Sequence, residues 1–208
     1  MSKYNHNNMR KIETIWHHIL LSALADKKFQ HTQQEIARMF GYSLSTVNHA
    51  LGTISEIGAV RKEARFFVLE NFQKLLYFWA SMRNLSRDIV YRGYYTGSVA
   101  EIEGLVPSGV IYAAYSAAKK ILGEAPADYS TVYCYADKEV QTEFGLRFPS
   151  LKEKQIPNLI VLKVPAVMKK YGKITTLPQT FVDVWNLKDW YSPDFVAALE
   201  GKINAVLS

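Results

Sequence analysis

Helix start and stop signals follow one another closely between residues 31 and 58. Thr32 and Glu35 have the spacing of a capping box, in which the Thr32 hydroxyl accepts from the Glu35 amide and the Glu35 carboxylate reaches back. Gly41 can take the left-handed conformation that ends a helix, and Ser43 can cap the next helix. Gly58 can end that second helix. The spacing therefore predicts two short helices joined by a tight turn.

Apolar periodicity adds a longer helix before this pair and a buried stripe along its second member. The first helix carries Ile12, Ile15, Trp16, Ile19, Leu20, Ala23 and Leu24 at intervals of three and four, and a polar stretch over 26–31 ends it. The stripe after Ser43 consists of Leu44, Val47, Leu51 and Ile54. We therefore predict three consecutive helices, of which the middle one is short.

Two runs of strand-forming residues, 59–62 and 66–69, follow the third helix. Residues 63–65 would join them as a tight hairpin, to which Arg61, Lys62 and Arg65 give a basic character. Three helices followed by a basic β-hairpin are the pattern of a winged helix-turn-helix. Residues 10–70 accordingly resemble the winged-helix domains of bacterial and archaeal transcription regulators.

The third helix exposes side chains that suit contacts with DNA. Burial of its apolar stripe turns small hydroxyls, an amide and an imidazole outward, and these groups match phosphate oxygens and base edges in the major groove. We therefore predict a site for double-stranded DNA formed by Ser43, Ser45, Thr46, Asn48, His49, Arg61, Lys62 and Arg65. Two alternatives remain: the polar side chains only solvate the helix, or the winged helix is a protein-interaction module.

Positive charge is concentrated in the first part of the chain. The net charge is +6, and a cut after Arg92 leaves 13 Lys/Arg against 7 Asp/Glu before it and 12 against 12 after it. Such asymmetry indicates that the first part meets a polyanion while the second part does something else.

We expect two domains. Residues 1–86 would form the winged helix-turn-helix DNA-binding domain, including a linker or dimerisation helix over 71–84. Residues 87–208 would form a mixed α/β effector or antitoxin-like domain with a small sheet, so the fold class is α+β. In this second part the sequence predicts helices at 97–105, 109–122, 138–146 and 178–187 and a last one from Ser192, with strands at 131–136 and 159–164.

Three segments of the second part resemble a known family. YYTGSVAEIEGL (94–105), NLIVLKVP (158–165) and ITTLPQTFVDVWNLKDWYSPDFVAALEGKI (174–203) are similar to the C-terminal part of AbiE-type antitoxins, the regulator half of type IV toxin–antitoxin operons. The resemblance implies an autoregulating repressor whose second domain counteracts a nucleotidyltransferase-like toxin. The matching positions, such as Gly97, Leu177, Pro178 and Asp183, are structural, and no catalytic set is carried over.

The chain lacks the patterns of known enzyme sites. Val161 stands where a nuclease strand needs a carboxylate, and Glu101 and Glu103 follow Ser98 too closely for a nucleotidyltransferase. No P-loop, dinucleotide fingerprint or HExxH motif occurs. We therefore predict no enzymatic activity, no cofactor and no metal.

Composition and residue clustering predict the assembly, the location and the ligands. Cys134 is the only cysteine and no apolar run reaches the ~18–20 residues of a membrane span, so we expect a cytoplasmic protein without a membrane partner. A homodimer is expected because such regulators often bind pseudo-palindromic sites. Eight of the 13 tyrosines lie between residues 91 and 135. They either cap the edge of a small core or line an interface or a pocket, and a pocket would make the protein a ligand-responsive regulator.

Overall fold

The computed structural model describes residues 6–148, 151, 152 and 154–208. The chain divides into two compact units. The first comprises the residues up to Met82 together with Ile203–Ser208, and the second comprises Arg83–Lys202. Each unit is built around its own buried side chains, so each is described by itself.

The first unit is a winged helix-turn-helix, which confirms the predicted fold. Its elements are α1 (His6–Ala25), β1 (Gln30–His31), α2 (Gln33–Phe40), α3 (Leu44–Glu56), β2 (Val60–Lys62), β3 (Phe67–Leu69) and α4 (Phe72–Met82). The strands form an antiparallel sheet in the order β1-β3-β2. The two-residue strand β1 was not expected, because its polar sequence gives no strand signal and its pairing with β3 is a tertiary contact.

Local signals explain where α2 and α3 begin and end. The Thr32 hydroxyl accepts from the Glu35 amide at 3.1 Å, and Gly41 takes a φ of 64°. The other half of the predicted capping box is wrong, because the Glu35 carboxylate lies instead 2.9 Å from Lys28 Nζ and 3.0 Å from His31 Nδ1. These two cation-capable groups offer the carboxylate stronger partners than a backbone amide.

The core of the first unit joins α1 to α3. Ile15, Ile19, Val47 and Leu51 are fully buried, and the Trp16 indole donates to the Ala50 carbonyl at 3.0 Å. The predicted stripe on α3 was wrong at its first position: Leu44 is 50% exposed, and Ala50 is buried in addition to the residues expected. Leu44 is the first residue of the helix, one turn before the part that the core covers.

The second unit is a mixed α/β domain, as predicted. Its helices are α5 (Val99–Leu105), α6 (Ala114–Leu122), α7 (Lys138–Arg147), α8 (Leu177–Trp185) and α9 (Ser192–Leu207), and α9 ends within the first unit. Its strands are β4 (Ile89–Gly93), β5 (Ile111–Ala113), β6 (Val132–Ala136) and β7 (Leu159–Lys163). The sheet order is β4-β7-β6-β5, with β6 and β7 parallel and the other neighbours antiparallel.

Two predictions in the second unit were wrong. The helix expected over 109–122 is a strand followed by a helix, because Ile111–Ala113 pairs with Tyr133–Tyr135 and the backbone turns sharply at Ala114, where φ is 47°. In this unit no strand is predicted before residue 131, yet Ile89–Gly93 forms β4, which pairs with β7. Both errors have one cause, since strand pairing between distant segments overrides the local helix and loop signals.

Side chains cover both faces of the second sheet. Leu159 and Val161 of β7 belong to one apolar cluster, and Ile160 and Leu162 belong to the other. A strand buried on both faces has no polar positions to alternate with, which explains the continuous apolar run at 159–162. Many tyrosine rings are likewise part of the packing: Tyr115 contacts Tyr129, Tyr133, Tyr191 and Phe195.

Candidate nucleic-acid interface

The polar side chains predicted on α3 share one exposed face. Ser43, Ser45, Asn48 and His49 are exposed and Thr46 is half-buried. The same helix buries Val47 and Ile54 completely on its opposite side. The separation arises because residues three and four apart share a face of a helix. The structure therefore brings the five predicted α3 residues together on one surface.

The hydroxyl groups at the start of α3 form a connected cluster. Ser43 Oγ accepts from the Thr46 amide at 3.2 Å and lies 2.9 Å from both Ser45 Oγ and Thr46 Oγ1. Ser43 is therefore the N-cap of the helix, and its oxygen is already engaged there. Its place at the positive end of the helix dipole favours an anionic neighbour such as a phosphate.

A hydrogen bond between two side chains joins the wing to α3. Lys62, the last residue of β2, donates from Nζ to Asn48 Oδ1 at 2.9 Å. The hairpin itself is closed by a hydrogen bond of 2.8 Å from the Glu63 amide to the Phe66 carbonyl. Arg65 lies at the tip between the strands and is exposed. The pair makes the exposed face of α3 and the wing one continuous polar surface, which we call the α3–wing surface.

Acidic side chains of the protein offset the positive charge of Arg61, one of the predicted wing residues. Its guanidinium forms ion pairs with the Glu63 and Glu70 carboxylates while its side chain stays half exposed. Sequence reasoning missed both acidic residues as parts of the surface. The signal was available, since Glu63 lies in the hairpin turn and Glu70 directly follows β3.

Two further cations lie on the helices next to this surface, and the sequence interpretation did not include them. Arg38 is exposed on α2. Lys11 of α1 places its ammonium group 5.4 Å from the centroid of the Tyr42 ring, in the turn between α2 and α3. In helix-turn-helix proteins the helix before the recognition helix crosses the DNA backbone, so Arg38 suits a phosphate contact.

Two histidines of α1, His17 and His18, do not add positive charge. Burial lowers the pKa of His17 to about 3, and burial together with the nearby His31 and Lys28 lowers the pKa of His18 to about 4. His17 packs beside the Trp79 ring, at 5.7 Å between centroids. Both imidazoles are therefore neutral near pH 7. Within the described part of the chain, no group of three or more His, Cys, Asp or Glu side chains could hold a metal ion.

The charge asymmetry is weaker when the chain is cut where the units meet. The first unit contains 10 Lys/Arg and 6 Asp/Glu, and the second contains 15 and 13. The difference from the earlier count comes from Arg83, Arg87, Arg92 and Asp88, which belong to the second unit. Arg83 is buried there in an ion pair with Asp88 at 2.9 Å. The first unit remains the more basic in net charge.

Comparison with protein families identifies the region that carries this surface. The helix-turn-helix domain of the IclR family matches residues 20–64. The match begins within α1, covers α2, α3 and β2, and ends at residue 64 within the turn of the wing, before Arg65. It supports a DNA-binding transcriptional regulator. It does not extend to the second unit, and the AbiE-type assignment is not confirmed.

Other comparisons add no relative. None of the curated proteins matches the chain, and none of the solved structures does so either. In the ranges that the structure describes, no helix is long and apolar enough to cross a membrane.

Proposed function

We propose that this protein is a transcriptional regulator that binds double-stranded DNA with the α3–wing surface. In this proposal α3 enters the major groove and the wing follows the neighbouring backbone. The observation that carries the proposal is the hydrogen bond between Lys62 and Asn48, which unites the two predicted DNA-binding elements within the region that matches a known DNA-binding domain.

The side chains of this surface have different roles in the proposal. Ser45, Asn48 and His49 lie near the start of α3, the part of a recognition helix that reaches base edges. Thr46 and Ser43 hold the start of the helix, and their hydroxyl groups face the same surface. Lys62 and Arg65 contact phosphates and fix the register of the protein on the duplex. Arg61 contributes less, since two carboxylates already hold it.

We further propose that residues 1–86 act as the DNA-binding domain and that the protein acts as a homodimer on a pseudo-palindromic site. Two recognition helices related by a two-fold axis contact half-sites about one helical turn apart. Residues 87–208 then supply regulation and not DNA contacts. No catalytic step is part of this proposal.

The finer role is that of an autoregulating, antitoxin-like repressor. It is supported by the resemblance of 94–105, 158–165 and 174–203 to AbiE-type antitoxins, in which this part counteracts a nucleotidyltransferase-like toxin. Co-expression with a nucleotidyltransferase-like protein encoded beside the gene tests this role. If the neighbouring protein inhibits growth and this protein restores it, the Asn48→Ala variant should restore growth as well, since the second unit is unchanged. Restoration by the variant supports a protein partner for the second unit. An absence of restoration by the wild-type protein refutes the antitoxin role.

Selection of binding sites from a random DNA pool by the full-length protein tests the DNA-binding role. We expect enrichment of a sequence with two half-sites in inverted orientation and a footprint covering both. Asn48→Ala protein should enrich a less defined sequence, because one base contact is lost. A pool that shows no enrichment with either protein would refute operator recognition.

A ligand-responsive regulator is the second candidate, and one observation favours it. The second unit contains a cavity of about 540 Å³, which lies within the usual size of small-molecule sites. An effector bound there would regulate DNA binding only if it bound the two functional states with different affinity.

A further inference from the structure

The cavity lies at one edge of the second sheet. Asp137 directly follows β6 and Val164 directly follows β7, so the carboxyl ends of these two parallel strands open into it. The start of β5 meets the same edge, since Ile111 pairs with Tyr135 of β6. Ligands of α/β proteins commonly bind outside the carboxyl ends of parallel strands, where connections diverge and leave a crevice.

The cavity wall is largely apolar and aromatic. The lining includes Val106, Val110, Val164, Tyr112 and Tyr135. The hydroxyl groups of both tyrosines are already engaged, by the Glu103 carbonyl at 2.8 Å for Tyr112 and by the Asp183 carboxylate at 3.0 Å for Tyr135. The Tyr112 side chain is half-buried and can offer apolar surface to an occupant, whereas the Tyr135 side chain is fully buried. The wall suits an organic body, such as an aromatic ring, better than a bare inorganic ion.

The charged groups at the cavity carry a net positive charge. Two lysines, Lys169 and Lys173, and one acidic residue, Asp137, line the cavity. Lys169 Nζ lies 2.7 Å from Asp137 Oδ2, while the Asp137 Oδ1 atom accepts from the Val140 amide at 3.1 Å. Each oxygen of the carboxylate therefore has a protein donor, whereas both ammonium groups lie on exposed side chains. An anionic group on the occupant would meet complementary charge.

Two glycines let an occupant approach the backbone. Gly109 and Gly172 line the cavity with φ values of 90° and 95°, which L side chains rarely adopt. A Cβ atom at Gly172 would lie in open space. The strand β5 and residue 173 are held together by a hydrogen bond of 2.9 Å from the Tyr112 amide to the Lys173 carbonyl.

We propose that this cavity binds a small organic anion with an apolar body. The inference deepens the ligand-responsive candidate for the second unit, and it concerns binding alone. The apolar wall holds the body of the molecule, and Lys169 and Lys173 hold its anionic group. Because DNA takes no part in the binding step, the test is made without DNA, and its failure would leave the DNA-binding role untouched.

Ligand-observed NMR with full-length protein tests the proposal with three probes of similar shape: benzoate, benzyl alcohol and benzylammonium. Benzoate should bind most tightly and benzylammonium least, because the probes share a phenyl ring, differ in charge, and meet Lys169 and Lys173 at the cavity. Lys169→Met and Lys173→Met should each weaken benzoate binding roughly three- to fivefold and leave benzyl alcohol unchanged. Lys188→Met, which removes an exposed lysine outside the cavity lining, is the matched control.

A variant that fills the cavity separates this site from binding elsewhere. Ser108 is exposed at the cavity, so Ser108→Trp should abolish the binding of benzoate and benzyl alcohol while the protein stays folded. Equal affinity for benzoate and benzylammonium would overturn the anion preference. Benzoate binding that persists in Ser108→Trp, or no benzoate binding to the wild-type protein, would overturn the site itself.

Discussion

The Lys62 ammonium group donates a hydrogen bond of 2.9 Å to the side-chain oxygen of Asn48. This contact fixes the orientation of the amide, because the oxygen accepts from the wing and the NH₂ group is left to donate. Because one lone pair of its oxygen is already engaged, the side chain is biased towards donating to base acceptors and away from the donor-and-acceptor pair that adenine presents in the major groove. The wing therefore influences what α3 can read.

Asn48→Ala should weaken binding to a selected site by about 1–3 kcal/mol and change binding to random DNA little. The reason is that a base contact carries sequence information, whereas phosphate contacts do not. Competition titrations with both kinds of duplex measure the difference. Asn204→Ala, which removes an exposed asparagine of α9, is the control. An equal loss of affinity on both duplexes would show that Asn48 contacts the DNA backbone and not a base.

The three wing cations should contribute unequally. Arg65→Ala should weaken binding to all sequences and reduce the slope of log affinity against log salt by about 1, because one phosphate contact is lost. Arg61→Ala should change the slope less, since Glu63 and Glu70 already offset that charge. Equal slope changes for both variants would show that the ion pairs of Arg61 open fully on DNA.

Glu70→Gln should strengthen binding to DNA of any sequence. The substitution removes a carboxylate that competes with phosphate for Arg61 and leaves a side chain of similar size. Glu56→Gln removes the same charge from the exposed end of α3 and should have a smaller effect, because no cation of the wing depends on it. If the two variants gain affinity equally, only the net charge of the unit matters.

The first unit was more predictable from sequence than the second. Caps and stops such as Thr32, Gly41 and Ser43 act within a few residues, so α2 and α3 could be located from the sequence itself. The strands β1 and β4 depend on partners far along the chain and give little local signal. For the same reason sequence predicted the exposed face of α3 but not which side chains pair there, such as Lys62 with Asn48.

The buried carboxyl of Asp183 gives the second unit its own pH dependence. Burial raises its pKa to about 6, while Arg83 and hydrogen bonds from Gln179 and Tyr135 act in the opposite direction. Between the unfolded pKa of about 3.9 and the folded pKa, the folded state binds more protons, so this group makes the protein more stable as the pH falls from 7 to 4.

Asp183→Asn should remove this dependence. The free energy of unfolding is compared between the wild-type protein and the variant at each pH. As the pH falls from about 7 to 4, the wild-type protein should gain roughly 1–3 kcal/mol relative to the variant. Urea unfolding across this range measures it, and taking the difference cancels the opposite effect of His17 and His18, whose lowered pKa values weaken stability in acid. A constant difference would show that Asp183 does not titrate in this window.

The most direct test of the account compares two double variants with the same change in charge. Lys62→Glu with Arg65→Glu alters the α3–wing surface, and Lys152→Glu with Lys188→Glu alters exposed lysines of the second unit. Fluorescence anisotropy with a random-sequence duplex, over a series of salt concentrations, measures both. The account predicts that the first variant loses roughly tenfold or more in affinity and about 2 in salt slope, while the second stays close to wild type. Equal losses in both variants, or no DNA binding by the wild-type protein, would contradict it.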